Sequence, residues 1–358
     1  MRYPRLAARS ACLLAGILAS LNAQAFPTDL DQCLLEQLKA APDEATVAEL
    51  KAICLESLLP LAEQEADTPA ATVEAPTPAA EENAAAETGA SPLETRITLE
   101  RATAENPFVI TPHRPNYLLP ATYNFSPNSD PFDVSEGELQ KWEFKFQLSF
   151  KFPLVRGLFN DRSSIFLAYT NQSYWQAYNR EFSSAFRETN HEPELFLTYL
   201  PDYSLFGIDA RLLQVGLSHQ SNGRGGVLSR SWNRLYADLV FERGNFAFSL
   251  KPWYRIPEPK KKSPTDATGD DNPDIEDFMG YGELRLAYKL DGHSLSLMLR
   301  SNLSRSDPRG AVELGWSFPL TRRVKGYAQY FDGYGESLID YDAHIRRIGI
   351  GIALTDWL

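Results

Sequence analysis

The stretch Lys141-Trp142-Glu143-Phe144-Lys145-Phe146-Gln147-Leu148-Ser149-Phe150-Lys151-Phe152 alternates without a break. Successive side chains of a strand point to opposite sides. Trp142, Phe144, Phe146, Leu148, Phe150 and Phe152 therefore share one face, and Glu143, Lys145, Gln147, Ser149 and Lys151 the other. The pattern returns at Phe246, Phe248 and Leu250, and at Leu284, Leu286, Tyr288 and Leu290. It recurs at Val312, Leu314, Trp316 and Phe318, and at Ile348, Ile350, Ile352 and Leu354. Segments of about ten residues, apolar and polar by turns, mark a transmembrane barrel whose apolar face meets lipid. A soluble sandwich also alternates, but about a dozen aromatic-rich strands with no helix between them favour the membrane. The fold class expected is all-β, a twelve-stranded antiparallel transmembrane β-barrel, preceded by a short disulfide-linked helical hairpin and a disordered linker.

Strands are expected near 107–119, 138–152, 163–175, 190–200, 210–222, 231–243, 245–257, 280–290, 293–303, 311–318, 324–333 and 345–356. Arg243-Gly244-Asn245 and Asp291-Gly292 read as tight hairpin turns,. They alternate with longer loops at 223–230, 258–279, 304–310 and 334–344. Barrels of this kind turn tightly on the periplasmic side and carry their long loops outside. An even strand count then leaves both ends in the periplasm. Pro112, Pro115 and Pro120 crowd the first strand, where each lacks a donor for the ladder,.

Upstream of the barrel, residues 1–25 read as a secretory signal, with Arg2, Arg5 and Arg9 before an apolar stretch and Ala23-Gln24-Ala25 as the cleavage site,. Residues 26–63 read as a helical hairpin, with Leu34, Leu35 and Leu38 on one helix and Val47, Leu50, Cys54, Leu58 and Leu61 on the other,. Cys33 and Cys54 suit a disulfide in an exported protein, the bland alternative being two free thiols,. Residues 64–105, rich in Ala, Glu, Pro and Thr, bury too little to offset their ordering entropy and read as a disordered linker,. The barrel domain is expected to occupy 106–358.

Charge follows the same division. The whole chain carries a formal −12, and loss of the three signal arginines takes it to −15. Residues 26–105 hold 17 acids against Lys39, Lys51, Arg96 and Arg101, so only about −2 is left for the barrel. The acidity belongs to the extension, and no basic stripe supports nucleic-acid binding. No run of 18 apolar residues follows the signal, so no transmembrane helix is expected,.

One place breaks the apolar face. Leu213, Val215 and Leu217 share a face with His219 and Ser221, and Asn233 shares one with Leu235, Ala237 and Leu239 on the next strand,. A serine hydroxyl is a weak nucleophile until a base takes its proton. His219 and Ser221, two apart on one face, can supply both roles, and the Asn233 amide can orient the imidazole. Asparagine suits a lipid face, where an aspartate carries a large desolvation cost. The three sit at the outer ends of their strands, near the outer leaflet. A passive pore, with its working residues inside, and an adhesive barrel, with its specificity in the loops, are the rival readings.

His219-Gln220-Ser221-Asn222-Gly223-Arg224, with Arg230-Ser231-Trp232-Asn233-Arg234-Leu235-Tyr236, closely resembles outer membrane phospholipase A. Phe186-Arg187-Glu188-Thr189-Asn190, Asp271-Asn272-Pro273-Asp274-Ile275 and Gly333-Tyr334-Gly335-Glu336-Ser337-Leu338-Ile339-Asp340-Tyr341 extend the resemblance over roughly 138–358. The resemblance implies a calcium-dependent outer-membrane enzyme of the Gram-negative cell, hydrolysing acyl esters of phospholipids (A1, A2 and lysophospholipase activity) and activated as a homodimer. It makes Ser221 the nucleophile, His219 the general base, Asn233 the orienting residue and Gly223 an oxyanion donor. It places calcium (Ca2+) on Arg224, through its carbonyl, on Ser229, and on Ser183 of a second subunit. Asp271 matches one aspartate of a further calcium site, while Gly226 stands where the other would be. Asn171 stands where the family has a glutamine at the dimer interface. His113, His191, His293 and His344 have no ligand spacing and read as loop or surface residues. Lys260-Lys261-Lys262 reads as a solvated run, or more weakly as a contact for lipopolysaccharide phosphates,.

Overall fold

In the computed structural model the alternating segments become twelve long antiparallel strands. They are β1 (Asn116–Asn124), β2 (Trp142–Arg156), β3 (Ser163–Trp175), β4 (Phe186–Tyr199), β5 (Ile208–Ser221) and β6 (Ser231–Arg243). Then come β7 (Phe246–Ile256), β8 (Gly282–Leu290), β9 (His293–Ser301), β10 (Gly310–Pro319), β11 (Lys325–Tyr334) and β12 (His344–Thr355). Each pairs with its neighbours in sequence, and β12 pairs with β1, so the ring is closed. The structure describes residues 91–102, 110–132, 138–181, 184–266, 268–321 and 324–357. The signal, the hairpin with Cys33 and Cys54, and most of the linker lie outside them. No helix among the described residues is long and apolar enough to cross a membrane.

The faces fall as the alternation requires. Trp142, Leu148 and Phe152 are exposed, whereas Glu143, Lys145 and Ser149 are buried inside the ring. Charge buried inside must be paired, and it is. Glu143 binds Arg187 at 2.8 Å and Arg347 at 2.7 Å; Arg347 also binds Glu336, and Lys145 reaches the same carboxylate at 3.0 Å. A second network joins Arg114 and Arg234 to Glu192, and Arg114 and His113 to Glu194.

Turn chemistry sets one edge of the ring. Leu290 pairs with His293 around Asp291 (φ 49°) and Gly292 (φ 78°), two positive φ values as a type I′ turn needs,. Arg243 pairs with Phe246 around Gly244 (φ 58°) and Asn245. At the other end two of the long loops fold inward. Leu338 and Ile339, between β11 and β12, are fully buried, and their backbone amides donate to Asn190 and Glu188. The loop after β7 contains a short helix, α2 (Ile275–Met279), whose Ile275 and Met279 pack beside Trp232 and Trp253.

Two expectations need correction. The first strand runs over 116–124, not 107–119; upstream, Thr111–Pro112 forms a two-residue pairing with β2. Proline offers no ladder donor, and Pro120 is tolerated where the register of β1 slips against both neighbours. The linker also ends earlier than 105. Pro92–Ala102 forms a helix, α1, at the edge of the ring that carries the tight turns. Leu93 packs on Ala247, and its amide and the Ser91 hydroxyl donate to the buried Glu242 at 2.9 and 2.5 Å. Arg96 donates to the backbone carbonyls of Asp356 and Trp357, and Glu100 pairs with Lys151 at 2.7 Å. Composition averaged over the Ala-rich stretch hid a helix whose ordering comes from these distant contacts.

Two outcomes follow. Glu143→Ala leaves two buried guanidinium groups short of a partner and should destabilise the barrel by about 3–5 kcal/mol, read as a lower denaturant midpoint in refolding. Removing residues 26–90 should leave that midpoint unchanged, while removing 26–105, and α1 with it, should lower it.

Candidate active site

β5 and β6 are adjacent, and their pairing sets the geometry. His219 lies opposite Asn233 and Ser221 opposite Ser231. On the inner face of this hairpin Gln214, Ser218, Trp232, Arg234 and Tyr236 are buried; on the outer face Val215, Leu217 and Leu235 are exposed. His219 belongs to the outer face and is itself exposed, at the end of the ring that carries the long loops. The imidazole Nδ1 of His219 and Asn233 Oδ1 lie 2.8 Å apart. An amide oxygen only accepts, so this bond requires the proton on Nδ1 and leaves Nε2 free to take another. Ser221, two residues on and roughly 6.6 Å along the strand, closes β5 and is half-buried. Among the described residues its hydroxyl makes no hydrogen bond to His219.

The loop after Ser221 is stitched by Asn222. Its Oδ1 accepts from the amides of Arg224 (3.2 Å) and Arg230 (3.0 Å), and its Nδ2 donates to the Leu228 carbonyl at 2.8 Å. Gly223 follows in the left-handed region, φ 64°, where a side chain would be strained,. The Arg224 guanidinium turns back to the carbonyls of Phe186 and Arg187 and to Glu188. That directs the positive charge toward the barrel wall rather than toward the serine.

Ser229 and Ser231 both donate to Asp271 Oδ2 at 2.9 Å, and the ammonium of Lys261 sits on Oδ1. Burial pushes the Asp271 carboxyl up, but hydrogen bonds from Lys261, Ser231 and Ser229 together hold it below its ordinary value. Lys261 is thus bound rather than solvated, unlike the reading of the lysine run. A cation seated on Asp271 would have to displace that ammonium. Among the described residues no three His, Cys, Asp or Glu side chains are grouped to hold a metal. The Asp271 carboxylate already carries an ammonium and two hydroxyls, an arrangement that suits it poorly to a calcium ion. Ser229 and the Arg224 carbonyl offer hard oxygens of the kind calcium takes; Ser183 lies outside the described residues.

One site residue escaped the sequence reading. His191 on β4 lies directly opposite Ser221 in the ladder and is not a loop residue. Its Nδ1 is 2.6 Å from the Tyr169 hydroxyl, and a Cβ added to Gly223 would meet its Nε2 at 3.8 Å. The signal was present in the alternation, since buried Glu192 and Glu194 force His191 to the outer side. Register completes a polar row across four strands of the outer face, beside the His219–Asn233 pair: Asn171, His191, Ser221, Ser231.

The family model for phospholipase A1 matches residues 93–354. The phospholipases A1 of Klebsiella pneumoniae and Escherichia coli K12 are each 42% identical over 255 residues, covering 70% of this chain and 84% and 83% of theirs. Among solved structures, outer membrane phospholipase A from Escherichia coli aligns with a TM-score of 0.64 at 42% identity, over 70% of this chain and 94% of the other. The Salmonella typhi outer membrane phospholipase, crystallised as a dimer with bound calcium, aligns equally well: TM-score 0.64, 42% identity, 70% and 94% coverage. A twelve-stranded barrel with lipid outside and ion pairs inside, matched across nearly its whole length, belongs to the phospholipase A1 family and to the Gram-negative outer membrane.

Proposed function

We propose that this chain hydrolyses the acyl ester bonds of phospholipids with Ser221 as nucleophile, His219 as general base and Asn233 as the residue that orients the imidazole. The observation that carries the reading is the 2.8 Å contact between His219 Nδ1 and Asn233 Oδ1, with Ser221 two residues away on the same lipid-facing side. A passive pore needs no such contact outside its wall, and an adhesin would keep its working residues in the loops.

The chemistry runs as follows. His219 Nε2 takes the Ser221 proton as Oγ attacks the ester carbonyl, and the Asn233 oxygen holds the Nδ1–H of the imidazolium that forms. Charge on the tetrahedral oxygen is met by the backbone N–H of Gly223. His219 then returns its proton to the departing glycerol oxygen, leaving the acyl group on Ser221 for water to remove by the same steps. Placement near the outer leaflet lets the ester reach Ser221 without leaving the membrane plane.

The calcium dependence and activation by dimerisation are part of the same proposal. The Arg224 carbonyl and the Ser229 hydroxyl would hold the ion at the edge of one chain, with Ser183 of a second copy completing the set, as waters fill a shell of six to eight oxygens. Bound there, calcium would supply positive charge beside the oxyanion. Asp271 is left to its loop role with Lys261. Asn171, which accepts from Ser173 at 3.1 Å on the outer face, would lie at the dimer contact.

Ser221→Ala should abolish hydrolysis in detergent micelles while leaving the folded, heat-resistant form intact, and a sulfonyl fluoride should label Ser221 alone. Full activity in the alanine variant would end the hydrolase reading. Calcium should shift the sedimentation equilibrium toward dimer, and dimerisation should tighten calcium binding by the same factor because the two couplings are linked; the rate should rise with the dimer fraction. A monomer that turns over lipid as fast as the dimer would remove dimer activation and leave Ser221 in place.

A further inference from the structure

Beyond Asn233 the hydrogen-bond line continues. While Oδ1 of Asn233 meets His219, its Nδ2 donates to Glu258 Oε1 at 2.8 Å. Glu258 is half-buried and sits two residues past the end of β7, whose last residue, Ile256, pairs with Asn233. The loop thus delivers a carboxylate to the far side of the orienting amide.

The need for such a group is physical. The two ends of an asparagine amide have nearly the same shape, one accepting and the other donating. Flipped, Asn233 would offer N–H to Nδ1, which then carries no proton, and Nε2 would hold the proton it must be free to accept. An ionised carboxylate only accepts. Set on Nδ2, it selects the amide orientation, and through it the imidazole tautomer. A carboxylate placed directly on His219 would stabilise the imidazolium more, but at a lipid face its desolvation is costly. One residue removed, in a loop, the charge keeps its water and still acts through the polarised amide.

We propose that Glu258 is a positioning residue of the hydrolytic site, fixing the Asn233 amide and supporting the His219 imidazolium through it; this rests on the Ser221, His219 and Asn233 assignment above. Two cations of this loop region are paired elsewhere. Arg255 pairs with Asp270 and Lys261 with Asp271, while Lys260 lies on a backbone bridge to Asp270. His191 and Tyr254 are the further ionisable side chains on the outer face nearby, and His191 is bonded to Tyr169.

The test is a double-mutant cycle on the full chain in detergent micelles of phosphatidylcholine with calcium, with folding checked by heat-modifiable gel mobility. Glu258→Ala should lower kcat about tenfold with little change in KM. Loss of the charge makes the imidazolium easier to deprotonate, so the acid limb of kcat/KM should move to lower pH. Glu258→Gln can still accept from Nδ2, so it should recover much of kcat yet keep the shifted limb. In an Asn233→Ala background, Glu258→Ala should cost nothing further. A Glu258→Ala enzyme with wild-type kcat and pH profile would overturn the proposal, as would a loss equally large with Asn233 absent. A wild-type chain inert toward phospholipid would instead sink the hydrolase assignment on which it stands.

Discussion

A bilayer interior offers no water to a backbone N–H or C=O, and the rest of the structure depends on that constraint. A sheet can satisfy every such group only by closing, and β12 meets β1 to do so,. Closure divides each strand's alternation into a lipid side and an inner side. The polar residues are sent inward, where Glu143, Arg187, Arg347, Glu336 and Lys145 must neutralise one another. The inward loops complete this interior, since Glu336 comes from the segment after β11 and Asp340 reaches Arg187 at 2.7 Å. The outer end of the barrel is thereby held by the ion pairs that fill its middle.

The same constraint gives the outer polar row its meaning. On a face that meets hydrocarbon, Ser221, His219, His191 and Asn233 would be costly if idle. They lie at strand ends beside the loops, where lipid gives way to headgroup and water, and three of them already hold fixed partners. Asn233 reconciles two demands, for an acceptor on imidazole and against a bare charge in lipid. Glu258 restores a carboxylate to the line from the wetter side. At Asp271 a carboxylate is instead covered by Lys261, so the loop carries its own cation and gathers Ser229 and Ser231 around it.

The membrane barrel, its strand count, its tight turns and the pairing of His219 with Asn233 were all legible along the chain. Each rests on a period of two or on turn residues adjacent in sequence, and a strand carries that information locally. Even the outer position of His191 was implied by Glu192 and Glu194. What the alternation cannot encode is which distant loop returns to which strand. Lys261 on Asp271, Glu258 on Asn233, Ile339 on Glu188 and Ser91 on Glu242 join segments through folding rather than through pattern. The helix α1 is the clearest case, for its segment alone buries too little to order itself. Sequence by itself determined the barrel and the face on which its chemistry stands. Only the tertiary structure decided which loop carboxylate reaches Asn233 and which cation covers Asp271, because those choices are made by the closure of the ring.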